Sequence, residues 1–164
     1  MTSRLLVDKI EGKTTANTVQ MPSGHVVQLV TNEYSTINSI SSSTYVDSGL
    51  TCQITPKFSS SKIFIQCNLH LRMMHTSADT GAGWKIFRDS SEIKATPVLY
   101  AIYIYDADSN QIEWRGWQAW NFLDSPSSTS QLTYKVQIGK YGSGTLQLQE
   151  SSNTSTMTLM EVAQ

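Results

Sequence analysis

Charge is scarce in this sequence. Asp, Glu, Lys and Arg make up 15% of its 164 residues, against about a quarter in an ordinary globular domain. The formal net charge is −1, and Lys and Arg form no cluster. The basic footprint of a nucleic-acid binder is therefore missing. Cysteine is scarce too: Cys52 and Cys67 are the only two. Two cysteines do not make a disulfide scaffold, and without a CxxC pair there is no zinc or redox motif. Cys67 lies in an alternating apolar run and reads as a small core residue, although a Cys52–Cys67 bridge across adjacent strands stays open. No apolar run approaches the length of a membrane span, and the N-terminus shows no signal-peptide pattern. The expectation is a chain that inserts in no membrane and is made without secretion.

Catalytic and cofactor motifs are also missing. No GxSxG, HExxH, P-loop or GxGxxG is present,. Gly81-Ala82-Gly83 lacks the third glycine and the helix that a dinucleotide fingerprint needs,. Asp106, Asp108 and Asn110 imitate the start of a calcium loop, but Gln111 and Trp117 stand where such a loop has Gly and Glu,. A hairpin turn explains them, so no metal ligand is assigned. His70 and His75 are an odd number of residues apart and point to opposite sides of a flat strand. They read as exposed strand-end residues. No cofactor is expected, and enzyme is the minority reading.

What the chain has instead is hydroxyl groups: 23 Ser and 18 Thr. Thr favours strands, Ser favours turns, and both weaken helix interiors. The clearest element runs from Lys62 to His75. There Ile63, Ile65, Cys67, Leu69, Leu71 and Met73 alternate with Phe64, Gln66, Asn68, His70, Arg72 and Met74. That is a period of two, with the first set facing a core. Further strands are predicted over His25–Thr31, Tyr45–Thr55 (one strand with a bulge at Gly49, or a broken pair), Trp84–Arg88, Val98–Tyr105, Ile112–Phe122, Thr133–Ile138, Thr145–Gln149 and Thr156–Val162. Ser39–Ser43 reads as a loop. Val98–Tyr105 is apolar or aromatic on both faces, which predicts a central strand or a face that meets a partner. With about eight to ten short strands and regular turns, the fold class is all-β: an antiparallel β-sandwich, jelly-roll-like, over residues 25–164.

Residues 1–24 stand apart as a short N-terminal arm. Leu5, Leu6, Val7 and Ile10 are apolar but too few to form a core, so they read as a frayed terminus or as a docking arm. Trp114, Trp117 and Trp120 recur every third residue, so Trp114 and Trp120 share one strand face and Trp117 takes the other. Exposed tryptophan surface is costly unless used, which makes Trp117, with Tyr100, the candidate contact to a neighbouring subunit or a receptor.

Several segments together resemble a known group. Leu5-Leu6-Val7-Asp8-Lys9-Ile10 looks like the opening of many tail-fibre and appendage proteins of tailed phages. The segments Ser43–Leu50, Ile54–Ile63, Phe122–Pro126 with Leu132–Gln137, and Ser155–Val162 resemble, in that order, small virion structural proteins of marine and cyanobacterial tailed phages. The resemblance implies a jelly-roll-like sandwich that assembles as a homotrimer, has other virion proteins as partners, and resides in a tail fibre or on the capsid surface. It supplies no catalytic residues. Met73–Trp120 follows no pattern of the group, which points to that stretch for any host glycan or protein specificity. The leading expectation is a trimeric tail-fibre or appendage module in the virion that contacts the host surface. The competing readings are a capsid decoration protein and a carbohydrate-binding module.

Overall fold

A computed structural model of the chain describes residues 22–75, 79–97, 101–105 and 111–164. The arm residues Leu5, Leu6, Val7 and Ile10, together with Tyr100 and the turn over residues 106–110, lie outside the described residues. The strands are β1 (Val26–Tyr34), β2 (Asn38–Ile40), β3 (Val46–Ile54), β4 (Lys62–His75), β5 (Thr80–Arg88), β6 (Ser91–Ala95), β7 (Ile102–Ile104), β8 (Ile112–Asp124), β9 (Leu132–Gly142), β10 (Thr145–Leu148) and β11 (Ser155–Val162). All their pairings are antiparallel.

β4 organises the first sheet. β8 pairs along its whole length, from Ile63↔Asp124 to His75↔Ile112. Its other edge is shared: β11 covers the first half and β10 the second. β10 and β11 thus behave as one strand interrupted by residues 149–154. β1 and β2 continue the sheet outward in the same broken fashion. The second sheet runs β3-β9-β5, with β6 and β7 sharing the far edge of β5. Counting each broken strand once, β1-β11-β4-β8 faces β3-β9-β5-β6. Apart from the β5–β6 hairpin, successive strands alternate between the sheets, which is the jelly-roll order.

The alternation in β4 explains the layering. Ile63, Ile65, Cys67, Leu69, Leu71 and Met73 are all fully buried, and they meet Ile86, Tyr134, Val136 and Ile138 from the other sheet in one core. Each aliphatic side chain so buried contributes roughly 1.5–3 kcal/mol. Cys52 and Cys67 belong to this core as free thiols. They sit on β3 and β4, in opposite sheets, so the premise of adjacent strands does not hold. Burial, and then Cys52 nearby, push the Cys67 thiol up to about 12. The bulge expected at Gly49 is present: the β3–β9 register slips between Asp47 and Thr51, and Gly49 has φ +88°. A Cβ there would fall within the Tyr34 ring.

Two carboxylates lock one end of the sandwich. Glu161, fully buried on β11, accepts hydrogen bonds from the backbone N–H of Lys57 (2.8 Å) and Phe58 (3.1 Å) and from Gln28 Nε2 (2.6 Å). It therefore holds the β3–β4 turn. Asp124, buried at the end of β8, takes Arg88 Nη1 on both oxygens (2.9 and 2.8 Å) and the Tyr134 hydroxyl (2.7 Å). That triad ties the two sheets together.

Four expectations change. Ser39 and Ile40 of the predicted loop belong to β2, a three-residue strand, while Ser41–Ser43 are loop as expected. β6 follows β5 directly and is not among the predicted strands; its alternation, Ile93 and Ala95 against Glu92 and Lys94, spans only five residues. The described part of Val98–Tyr105 is β7, which sits at the sheet margin and pairs, among the described residues, with β5 alone. Among the described residues no strand lies on its outer edge, so of the two expectations the central strand is overturned and the face that meets a partner is untouched. His70 and His75 are buried, not exposed, though they do point to opposite faces of β4.

Two predictions follow from the locked end. Replacing Asp124 with Ala strands Arg88 and Tyr134 and should cost about 3 kcal/mol in urea denaturation, whereas Glu92→Ala at the exposed Lys85–Glu92 pair should cost under about 0.5 kcal/mol,. Glu161 is expected to show in acid. Burial alone would raise its carboxyl, but the Lys57 N–H and the Gln28 amide outweigh burial and hold it below its ordinary 4.5. A depressed folded-state value stabilises above the unfolded value and is lost as pH falls through the folded one. The stability difference between wild type and Glu161→Gln should thus be full at neutral pH and shrink steadily below about pH 4.5, measured by denaturation across pH.

Candidate functional site

The outer face of the β4 sheet is set by register. Inward alternation on β4 and β8 forces Glu113, Arg115, Trp117, Ala119, Asn121 and Leu123 to the outside. Trp117 lands opposite His70 and keeps 50% of its surface exposed, whereas Trp114 and Trp120 are partly buried on the core side. The Trp120 ring stacks on Trp84 at 4.7 Å. The division of the three tryptophans between faces is as the sequence spacing predicts.

Trp117 is held in place. Its ring meets the His70 ring edge-on, with centroids 5.2 Å apart. His70 is itself buried, and its backbone is pinned by two bonds from the interruption between β10 and β11: its N–H donates to Ser155 Oγ (3.0 Å) and its carbonyl accepts from Gln149 N–H (3.2 Å). Burial, with help from Arg115, lowers the His70 pKa against the opposing pull of Glu150, so the imidazole is neutral at pH 7. The interruption is an irregular loop. Gln149, Ser151 and Ser152 all have left-handed backbone (φ 53°, 56° and 62°), which non-glycine residues adopt at a cost of order 1 kcal/mol each,.

A charged network borders the ring. Glu113 accepts from Arg72 Nε and from Arg115 Nε, both at 2.6 Å, and Arg115 also reaches Glu150 at 3.6 Å. Arg72 donates to Gln147 as well (2.8 Å). Two guanidinium and two carboxylate groups balance, so the surroundings of Trp117 are polar but neutral overall. On the far side of the ring stand Ala119, which is small, and Asn68, its partner on β4.

A second patch lies on the same face, nearer the locked end. Leu29, Met160, Phe64 and Leu123 are register neighbours on β1, β11, β4 and β8. They form one apolar row across all four strands, with Leu29 55% and Leu123 45% exposed. Polar rows separate it from Trp117: Thr31, Thr158, Gln66 and Asn121, then Glu33, Thr156, Asn68 and Ala119. Periodicity within single strands could not show this row, because it runs perpendicular to the chain.

Little else offers chemistry. The described residues contain no group of three His, Cys, Asp or Glu placed to hold a metal, and no helix long and apolar enough to cross a membrane. A groove between β1 and β3 is lined by Val30, Thr31, Asn32, Thr51, Cys52 and Gln53. Asn32 Nδ2 bridges it to the Thr51 carbonyl, and burial raises the Cys52 thiol, which makes it a poor nucleophile,. Tyr103 and Tyr141 are exposed and close, with ring centroids 5.9 Å apart, and the Tyr103 hydroxyl bonds Asp79. No protein-family model matches the chain, and no curated protein is recognisably similar to it in sequence.

The contrast between the tryptophans is testable. Trp120→Ala should cost about 3–5 kcal/mol, as core aromatic truncations do, while Trp117→Phe should change stability by less than about 1 kcal/mol and remove most of the acrylamide-quenchable fluorescence.

Proposed function

We propose that this chain is a non-enzymatic structural subunit of a tailed-phage virion, a homotrimeric tail-fibre or appendage module that contacts the host surface. The observation that carries this reading is the apolar row Leu29–Met160–Phe64–Leu123 on a rigid outer sheet face. Contiguous apolar surface rimmed by polar residues marks a protein interface. Its position adds support. Ile54–Ile63, Phe122–Pro126, Leu132–Gln137 and Ser155–Val162, the segments resembling virion proteins, supply the turn held by Glu161, the Asp124 hub and half of the row. The segment that follows no virion pattern, Met73–Trp120, supplies the other end and Trp117.

The jelly roll is a frequent fold of capsid and lectin domains, which fits by analogy. Scarce charge suits close packing between subunits, since few charges must be desolvated there. The row by itself is small for a stable interface, and further contact is assigned to the N-terminal arm with Leu5, Leu6, Val7 and Ile10.

Light scattering on the purified chain should give three times its 18.2 kDa mass. The double variant Leu29→Glu/Leu123→Glu should shift it to monomer with its β circular dichroism retained. Cryo-electron microscopy of virions should place the protein on the tail. A clean monomer at micromolar concentration, or density on the capsid shell, overturns the trimeric tail assignment.

A further inference from the structure

We infer that the outer face around Trp117 is a binding site for a neutral saccharide, with the indole as the stacking platform and Arg115, Glu113 and Glu150 as hydrogen-bonding partners. The inference names the ligand of the surface contact proposed above, but it rests on a different patch and different residues.

Three features of the face select this ligand. The first is the platform. Trp117 is half exposed on a strand, so its position follows the sheet and not a loop. The His70 edge contact restricts the ring before any ligand arrives, so little side-chain entropy remains to be lost on binding,. An indole face attracts the polarised C–H groups of a pyranose in the way it attracts cations and aromatic edges.

The second feature is access. Along β8 the next outward residue is Ala119, a methyl group that leaves one side of the ring open. On the opposite side Arg115 is half exposed, with its guanidinium fixed between Glu113 and Glu150. A guanidinium offers a planar array of donors and a carboxylate offers acceptors. Together they match vicinal hydroxyl groups, which donate and accept at once. Asn68 adds an amide of the same dual character.

The third is charge. Arg72 and Arg115 are balanced by Glu113 and Glu150. An anionic ligand (a phosphate backbone, a sulfated or sialylated glycan) would have to displace a carboxylate from its arginine. A cationic one would have to displace an arginine. A neutral polyhydroxylated ligand can bond to the paired groups without separating them. A protein partner would need apolar surface around the ring, and the neighbours here are Ala119, amides and ion pairs. The apolar row that does suit a protein lies elsewhere on the face.

The test is a glycan array carrying neutral hexose and N-acetylhexosamine oligosaccharides beside sialylated and sulfated ones, probed with the full chain. Avidity from an oligomer would help weak contacts register. Neutral oligosaccharides should be retained. Saturation-transfer NMR with the best of them should show its ring C–H protons against the protein. Trp117→Ala should weaken binding at least tenfold, Trp117→Phe should restore part of it, and Arg115→Ala should weaken it severalfold. Unchanged thermal melting and light-scattering mass in each variant would assign these losses to the site. An array without neutral ligands, retention of acidic glycans only, or binding indifferent to Trp117→Ala overturns the inference. None of these outcomes alters the oligomeric mass or the position in the virion, so this site can fail while the structural reading stands.

Discussion

The register between β4 and β8 is the constraint on which the rest of the structure depends. β4 has to bury six apolar side chains on one face, and a strand offers no other way to do so than to send the intervening six outward,. β8 matches it residue for residue over thirteen positions without a bulge. A slip of one residue would turn Trp114, Trp120 and Phe122 out of the core and Trp117 into it. The exposure of Trp117 is thus a consequence of how the core closes. The same pairing sets His70 beside it and Glu113 within reach of Arg72.

The two ends of the sandwich are held by different means. At one end, Glu161 and Asp124 are buried carboxylates, each with several donors. Buried charge of this kind is a weak source of net stability, but removing one partner is expensive. Such hubs therefore specify geometry: Glu161 fixes where the β3–β4 turn folds, and Asp124 fixes the spacing of the two sheets. Farther along β4, strands break. β10 and β11 are separated by residues 149–154. Between them the backbone is irregular at Gln149, Ser151 and Ser152, and irregular backbone is where surface specificity is most easily built,.

Much of the fold was legible because long strands with one buried face print their geometry as alternation. Lys62–His75 and Ile112–Phe122 are such strands: the inward and outward sets of the first were readable, and in the second the opposite facing of Trp117 to Trp114 and Trp120. Gly49 was legible as a bulge because few other residues tolerate its backbone. Short or marginal elements were not. Asn38–Ile40 is a strand only because Leu146–Leu148 pairs with it, and Ser39 with the serines after it says turn. Ser91–Ala95 alternates only through Ile93 and Ala95, too short a run to separate from a turn. For Val98–Tyr105 dense β-formers allowed a centre or a partner-facing strand, and its described part sits at an edge, which removes the first. Glu161, read as an ordinary residue near the end of a strand, is buried because donors 104 and 103 positions away converge on it. The apolar row escaped detection for the same reason: its four members come from four strands.

The two patches on the outer face differ in a way that bears on what each can do. The row from Leu29 to Leu123 is apolar across its width and gains from losing water, whatever shape the partner has, so it suits a large flat surface. Around Trp117 the apolar area is one ring, and the rest is hydrogen-bonding groups already paired with each other. Covering that area with an apolar partner would bury the Arg72–Glu113–Arg115–Glu150 network without replacing the water it loses, a desolvation cost that a single ring cannot offset. Only a partner that itself brings hydroxyl or amide groups avoids the cost. The polar rows between the patches keep these surfaces distinct, so one sheet face carries an apolar strip and, separated from it, a wet, aromatic-centred surface.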